Sequence, residues 1–403
     1  MKFKTRSKDV NTLSYLLFIK IFSIIICFIF NNNIFSNYYL IRTNISYKHE
    51  IKNIELYLKF CKDLKTIHKF KKKNPKISII SPIYNREKFI PRFIGCLQNQ
   101  SFKDIEIILV DDNSSDNSAK LIEKYKKEDK RIILIKNNKN RGTFITRNIG
   151  VLKSKAKYVI IPDPDDILSK EIIGICFEYG EKYNYDIIKF NMYGGNGKVL
   201  NENYDKFNEN RPIYQPELST YIYYGNYELE QIDYYIADKF IKKKVYIESL
   251  NSLNNFYLNM FMTSMEDDLM NFLLHRTAKS FYFLKQIGYL YKRTNESISR
   301  KLLLISQIRL KFIFIELKFI FEFSKNSKFE KDMVNHRLTK ILKFQDIAIE
   351  RLLSNINFNK DFYFYYEVIN TLINCPHTSK VNTNILKKFK NIILQKKRNN
   401  LKP

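Results

Sequence analysis

The feature that most constrains the fold is an alternation, beginning at Lys76, of short β-branched runs with segments of helical periodicity. Ile105–Val110 is apolar except for Glu106 and has the length and composition of a strand buried on both faces. The other strand-like runs are Ile77–Ser81, Ile132–Ile135 and Tyr158–Ile161. Four strands separated by three helical segments predict right-handed crossovers and a parallel sheet. The predicted fold class is therefore α/β, with a doubly wound, mostly parallel sheet.

Carboxylates follow the predicted strands at the edge where such sheets bind ligands. Asp163-Pro-Asp-Asp comes directly after the fourth strand, and the period of two along an extended chain places Asp163 and Asp165 on the same side. Two carboxylates in this position suit a hard divalent cation. An isolated acidic turn is more often a solvated loop or a helix cap, but its place after a buried strand favours a metal site.

Two further acidic groups occupy comparable positions. Asp111 and Asp112 end the second strand, where a carboxylate can recognise a base, whereas Asp116 or Ser118 is predicted only to cap the following helix. Glu266-Asp-Asp precedes apolar residues at helical spacing. Acidic residues favour helix N-termini through the macrodipole, and a carboxylate in this position could also act as a general base. Both explanations of the third group remain open at this stage.

The N-terminal segment indicates a membrane anchor. Residues 13–30 are almost wholly apolar and follow a basic start, which predicts a cytosolic tail over 1–12, a transmembrane signal anchor over 13–30 and a stem over 31–75. Lys20 argues against insertion, and a cleaved signal peptide is the competing interpretation. The positive-inside rule predicts a single-pass type II protein whose bulk faces the lumen of the Golgi or endoplasmic reticulum.

The charge balance makes nucleic acid the first partner to consider, because 69 Lys and Arg stand against 41 Asp and Glu, a formal net charge of +28. Lysine is nevertheless spread along the whole chain, and no zinc-finger, RNA-binding or basic-zipper motif accompanies it. We therefore expect no nucleic-acid partner.

The ordered motifs resemble the family 2 glycosyltransferases with the GT-A fold. The likeness extends over about residues 76 to 300, and the overall layout is similar to that of membrane-anchored protist members. The segments that carry it are Lys76-Ile-Ser-Ile-Ile-Ser-Pro-Ile-Tyr-Asn, Leu97 to Asp116, Asn140-Arg-Gly, Thr146-Arg-Asn-Ile-Gly, Asp163-Pro-Asp-Asp, Asp238-Lys-Phe-Ile, Glu266-Asp-Asp and Tyr289 to Ser299.

The resemblance implies roles for individual residues. Pro82, Tyr84 and Asp112 would line the nucleoside pocket of a nucleotide-sugar donor, with Asn85 and Asp111 beside them. Arg147 and Lys239 would be phosphate or structural partners. Asp163 and Asp165 would bind Mn²⁺ or Mg²⁺ against the donor diphosphate. Asp267, or alternatively Asp268, would deprotonate the acceptor hydroxyl for a single displacement that inverts the anomeric centre.

Two departures from the family pattern limit these implications. Tyr289 to Ser299 contains no His for a further metal ligand, and the absence of Trp from the chain excludes the Q-x-x-R-W motif of processive synthases. We expect transfer of one sugar, from a donor assumed to be UDP-linked, to a glycan, protein or lipid. Residues 76–190 would bind the donor, 191–300 the acceptor, and 301–403 would be helical. The alternatives are a catalytically inactive binding or scaffolding relative and a nucleotidyltransferase.

Overall fold

A computed structural model of the chain describes the sheet domain and part of the C-terminal region. The described residues are 74–194, 199, 211–215, 218, 235–263, 266–292, 339, 366, 368–370, 372–374 and 380–400. The predicted anchor, the stem up to residue 73 and most of the region after residue 300 lie outside them. Among the described residues, no helix is both long enough and apolar enough to cross a membrane.

The first half of the domain alternates strands and helices as the sequence predicts. Its elements are β1 (Ile77–Ile83), α1 (Ile90–Gln98), β2 (Ile105–Asp111), α2 (Ser118–Glu128), β3 (Ile132–Lys136), α3 (Thr143–Lys153) and β4 (Tyr158–Ile160). Each predicted strand lies within two residues of the observed one. The reason is that all four are rich in Ile and other apolar residues, and β2 is buried along its whole length, including Glu106, which accepts the Ser78 hydroxyl at 2.6 Å.

The four strands are parallel and bring the predicted acidic turns to one edge. β1 pairs in parallel with β2 and β4, and β2 pairs in parallel with β3, giving the order β3-β2-β1-β4. The carboxyl ends of all four strands therefore lie at the same edge of the sheet. The turns that follow β1, β2, β3 and β4 form the floor of the candidate site.

The second half of the domain differs from the predicted mostly parallel sheet. Its elements are β5 (Ile167–Leu168), α4 (Ile172–Tyr183), β6 (Ile187–Gly194), β7 (Ile213–Tyr214), β8 (Lys239–Lys242), α5 (Lys243–Asn251), α6 (Asn255–Leu258), α7 (Glu266–Thr277) and β9 (Ser280–Tyr291). Within the described residues the sheet continues as β4-β8-β6-β9-β5, with β7 also on β9.

This second half makes the sheet mixed. β8 is antiparallel to both β4 and β6, β9 is parallel to β6, and β5 and β7 are antiparallel to β9. The prediction of a mostly parallel sheet was wrong because β8 enters beside β4 in the opposite direction. The α/β class itself is confirmed. In the C-terminal region, α8 (Lys380–Asn400) is helical as predicted.

One apolar core joins the two halves. It contains Ile80 and Val110 from the parallel strands, Phe144 from α3, and Leu273 from α7, all buried. α3 packs on β1 and β2, and α7 contacts α3 and α5. Packing of α7 against α3 sets the distance between the acidic residues of α7 and the turns at the edge of the sheet.

Candidate active site

The turns after β1 and β2 are tied together by polar side chains. Asn85 adopts the left-handed conformation (φ 51°) and donates its backbone N–H to the Ser114 hydroxyl at 3.0 Å. Its side-chain Oδ1 accepts the backbone N–H of Ser115 at 2.9 Å. Asp116, one residue before the N-cap Asn117, accepts the N–H of Ser118 in the first turn of α2 at 2.9 Å and also that of Glu87 at 3.0 Å. Asn85 therefore holds the turns after β1 and β2 together through contacts within the protein.

The two aspartates at the end of β2 have different partners. Asp112 is buried and accepts the backbone N–H of Arg141 at 2.8 Å and that of Gly142 at 2.9 Å. Its carboxylate also accepts Asn137 Nδ2 at 2.8 Å. Asp111 is equally buried, but of its two oxygens Oδ1 has no hydrogen-bond partner among the described residues. Asp112 thus holds the loop before α3, whereas Oδ1 of Asp111 remains a hydrogen-bond acceptor without a partner among the described residues.

Tyr84 supplies an exposed ring at the same edge. It is 43% exposed, whereas Pro82, inside β1, is half-buried. An exposed aromatic ring beside a buried acceptor atom offers stacking and a hydrogen bond to one planar ligand.

The loop held by Asp112 determines where α3 begins. Gly142 has a φ of 84°, and a Cβ there would lie 2.6 Å from the backbone oxygen of Met262. Phe144 donates its backbone N–H to that same oxygen at 3.2 Å. Only glycine allows this close approach, which fixes the first turn of α3 against the segment that precedes α7.

The acidic turn after β4 is held from β9. The backbone N–H of Asp163 donates to the hydroxyl of Tyr289 at 2.9 Å, and that hydroxyl donates to Asp166 Oδ2 at 2.9 Å. The N–H of Lys292 donates to Asp166 Oδ1 at 2.7 Å. Burial raises the pKa of Asp166 well above its usual value, and the charges of Asp165 and Asp163 raise it further. Asp166 therefore shapes the turn.

Asp163 and Asp165 repel each other in this turn. Burial raises the pKa of Asp165, and the neighbouring charge of Asp163 adds to the shift, while Arg86 and Arg92 oppose it. Two close carboxylates with this mutual repulsion are suited to a bound cation.

Arg147 joins the acidic turn to α7. Its guanidinium is almost fully buried, and Nη2 donates to Asp163 Oδ1 at 2.8 Å. Nη1 pairs with Glu266 Oε1 at 3.3 Å and forms a close ion pair with Asp267 Oδ1. Burial alone would lower the pKa of Arg147, but the carboxylates of Asp267, Asp163 and Glu266 raise it well above its ordinary value. We call these four residues the Arg147 cluster.

One guanidinium among three carboxylates leaves the cluster with excess negative charge. Burial raises the pKa of Glu266 to about 7, since the attraction of Arg147 is partly offset by repulsion from Asp267. Burial also raises the pKa of Asp267, again opposed by Arg147. A carboxylate with a raised pKa is a stronger base than a free one. The side chain of Asp268 lies outside the described part of the structure.

A divalent cation fits this site only with help from a ligand. Among the described residues, no group of three or more His, Cys, Asp or Glu side chains is arranged to hold a metal ion. Mg²⁺ and similar ions are commonly bound by one or two carboxylates with phosphate oxygens completing the shell. Asp163 and Asp165 match that arrangement if a donor diphosphate supplies the remaining oxygens.

The structure decides between the two roles considered for one residue, and sequence reasoning missed another residue. Lys239, predicted as a phosphate or structural partner, is fully buried and pairs with Asp238 Oδ1 at 3.0 Å, beside a second buried lysine, Lys189, which fits the structural role. Tyr289 was noted only as part of a motif, and its hydroxyl turned out to connect Asp163 with Asp166. Tyr289 itself is fully buried, and the hydroxyl of a buried Tyr usually has a hydrogen-bond partner.

The structure combines a mixed α/β sheet, consistent with a GT-A fold, with an acidic centre at one edge of that sheet. Residues 78–247, less than half of the chain, match the model of glycosyl transferase family 2. This part of the chain is therefore similar to the family that its motifs predicted.

Curated bacterial proteins are similar to this chain over part of their length. Glycosyltransferase GlyG of Streptococcus pneumoniae is 31% identical over 117 residues, covering 29% of this chain and 39% of that protein. Uncharacterized glycosyltransferase EpsJ of Bacillus subtilis is 28% identical over 228 residues, 56% of this chain and 63% of that protein. The poly(ribitol-phosphate) beta-N-acetylglucosaminyltransferase TarS of Staphylococcus aureus is 26% identical over 229 residues. That match covers 56% of this chain and 37% of TarS, so the chain spans less than two thirds of each relative's length.

The fold is similar to that of a solved transferase. The crystal structure of S. aureus TarS 1–349 in complex with UDP-GlcNAc aligns with a TM-score of 0.56 and 16% identity. The alignment covers 80% of this chain and 92% of that one. At this identity the likeness establishes the shared fold.

Proposed function

We propose that this chain is a glycosyltransferase that moves one sugar from a nucleotide-sugar donor to an acceptor hydroxyl, with inversion. The Arg147 cluster is the observation that supports this most directly. It brings Asp163 of the acidic turn and Asp267 of α7, over a hundred residues apart in sequence, onto one guanidinium. A transferase needs these two kinds of carboxylate at neighbouring positions, one at the donor diphosphate and one at the acceptor.

The donor side is assigned from the edge of the sheet. Tyr84 stacks on the base, and the free Oδ1 of Asp111 accepts a hydrogen bond from it. Pro82, Asn85 and Asp112 shape the pocket, the last two through their bonds to neighbouring loops. Uridine is the proposed base because TarS, with the same fold, is solved with UDP-GlcNAc.

Asp163 and Asp165 are the proposed ligands of Mn²⁺ or Mg²⁺. When bound, such an ion would neutralise charge on the departing nucleotide. Arg147 donates to Asp163 and would be the cation nearest to the diphosphate in this proposal.

The acceptor hydroxyl is deprotonated by Asp267 in this proposal. Asp267 is partly exposed and forms an ion pair with Arg147, whose charge opposes the rise in the pKa of Asp267 that burial causes. Asp268 remains the alternative base. Glu266, more deeply buried, holds a proton near neutral pH and limits the negative charge around Asp267.

Release of nucleoside diphosphate tests this function. Purified chain with Mn²⁺ should slowly hydrolyse at least one nucleotide sugar of a UDP- and GDP-linked panel, and Asp165→Ala should abolish that hydrolysis. Glu181→Gln is the matched control, because Glu181 is an exposed carboxylate paired with Lys157. Absence of turnover with every donor would favour the inactive binding or scaffolding alternative. Release of pyrophosphate would favour a nucleotidyltransferase.

We also propose a type II membrane topology with the catalytic domain in the lumen of the Golgi or endoplasmic reticulum. It rests on the apolar run over 13–30 and the basic residues before it. The sequon at Asn44 should then carry a glycan that is removed by an endoglycosidase. This orientation would be contradicted if Asn44 carries no glycan and protease added from the cytosolic side cleaves the chain next to it.

A further inference from the structure

Two tyrosines form a half-buried pair beside the Arg147 cluster. The rings of Tyr235 and Tyr291 lie with centroids 5.7 Å apart and planes inclined by 48°. Neither ring is buried with the core. Tyr235 precedes β8, and Tyr291 is the last residue of β9, so the pair is built by two segments that meet only in the folded protein.

Backbone hydrogen bonds place the pair between the two acidic groups. Ile236, next to Tyr235, donates its N–H to the Asp267 carboxylate. Lys292, next to Tyr291, donates its N–H to Asp166 Oδ1 at 2.7 Å. The pair therefore connects the first turn of α7 with the acidic turn after β4.

The charges around Tyr291 agree with this location. Burial raises the pKa of Tyr291 to about 12, and the nearby carboxylates of Asp166, Asp163 and Asp165 contribute to the increase, together with Tyr235. These charge interactions place the Tyr291 phenol near the acidic turn.

A sugar ring requires the two properties that this pair offers. A pyranose has an apolar face of C–H groups and a rim of hydroxyls, so it binds to aromatic rings that carry a polar group at the tip. In the proposed reaction the transferred sugar lies between the carboxylates at the diphosphate and the base on α7. The tyrosine pair lies between the same two groups, the acidic turn and the first turn of α7.

We propose that Tyr235 and Tyr291 form the wall of a pyranose subsite that binds the donor sugar. The rings contact the apolar face of the sugar, and the Tyr291 hydroxyl donates to one of its oxygens. This inference rests on the proposed function and adds the residues that select the sugar.

The affinity added by the sugar tests the subsite directly. Titration calorimetry with Mn²⁺ would give dissociation constants for UDP, UDP-GlcNAc and UDP-glucose, and for GDP and GDP-mannose. For each donor, the ratio of the nucleotide Kd to the nucleotide-sugar Kd measures the contribution of the sugar. Loss of one aromatic contact is worth about a 3- to 10-fold change in this ratio. Tyr235→Ala and Tyr291→Ala should each lower the ratio by that factor and leave the Kd of the free nucleotide unchanged.

A second tyrosine pair supplies a matched control. Tyr179 and Tyr183 on α4 have ring centroids 5.8 Å apart and planes inclined by 49°, nearly the same geometry. Tyr183→Ala should leave the ratio unchanged. Tyr291→Phe, which keeps the ring, should lower the ratio less than Tyr291→Ala.

Three results would overturn the subsite, and a different one would overturn the proposed function. The subsite is wrong if the alanine variants keep the wild-type ratio, or if the free nucleotide loses as much affinity as the nucleotide sugar. It is also wrong if wild-type protein binds a nucleotide but gains nothing from any sugar. Wild-type protein that binds no nucleotide in the panel would instead remove the proposed function. Unchanged nucleotide affinity in the variants shows that they are folded.

Discussion

Replacing Arg147 with Met removes the shared cation of the Arg147 cluster and keeps a side chain of similar length. Loss of one partner from a buried ion pair costs about 3 to 5 kcal/mol. The Arg147 side chain is 5% exposed, but those of Asp267 and Asp163 are 23% and 32% exposed. Because water solvates part of the uncompensated charge, we expect the lower end of this range, about 3 kcal/mol, at pH 8.

The loss should depend on pH. Without the guanidinium, repulsion among the three carboxylates raises their pKa values in the folded protein above those in the unfolded chain. Folding then binds protons, so the stability of the variant is greatest at low pH and decreases as pH rises. Each unit of upward shift adds about 1.4 kcal/mol to the difference between low and high pH. The loss at pH 5 should therefore be clearly smaller than the loss at pH 8.

Urea unfolding at pH 5 and pH 8, with donor hydrolysis measured on the same preparations, checks both points. The control is Arg131→Met, because Arg131 forms a buried pair with Asp129 at 2.8 Å and neither residue contacts the Arg147 cluster in any hydrogen bond or ion pair of the described residues. We expect a comparable loss of stability for the control with donor hydrolysis retained, and loss of hydrolysis for Arg147→Met. A loss below about 1 kcal/mol at pH 8, or equal losses at both pH values, would refute the reasoning.

Three further substitutions probe single features of the site. Glu266 has a folded pKa of about 7 against 4.5 for the free group, so wild-type stability should fall as pH rises through that window, and Glu266→Gln should be the more stable protein at pH 8. A difference in urea midpoint that is constant from pH 4.5 to 8 would argue against it. Gly142→Ala should cost about 2 kcal/mol through backbone strain and the clash with Met262, while Gly174→Ala, in a helix with space for a Cβ, should cost nothing. Equal unfolding midpoints for the two variants would contradict this. Tyr289→Phe should raise the Mn²⁺ concentration needed for half-maximal donor hydrolysis, and an unchanged requirement would show that its hydroxyl does not position the acidic turn.

The first half of the fold was predictable because its strands are short segments rich in Ile, Leu and Val. Ile107 and Ile108, in the middle of β2, are fully buried, and such a run has few alternatives to a central strand. β8 carries no such signal. Its first residue, Lys239, is fully buried by pairing with Asp238, and a partner supplied by the folded structure cannot be found from a hydropathy pattern.

The same distinction applies to the site. Asp163 and Asp165 stand out in sequence because they directly follow a strand, and Asp267 because it begins a helix. The function of Arg147 depends on carboxylates up to 120 residues away, and its immediate neighbours give no indication of them. The two roles proposed for Arg147 from sequence, phosphate contact and structural partner, were both left open for that reason.

The hydrogen bond from Asp163 to Tyr289 has a consequence for how the protein is made. Tyr289 is synthesised 126 residues after Asp163, a delay of roughly 6 to 25 seconds at ordinary rates of translation. During that interval the four parallel strands can already pair on the ribosome, but the hydrogen bonds from Tyr289 to the acidic turn cannot yet form. The family match ends at residue 247, before both α7 and β9. A recombinant fragment cut at that boundary would contain every donor-side motif and still be an unfinished enzyme, and the shortest fragment worth testing for activity ends no earlier than Lys292.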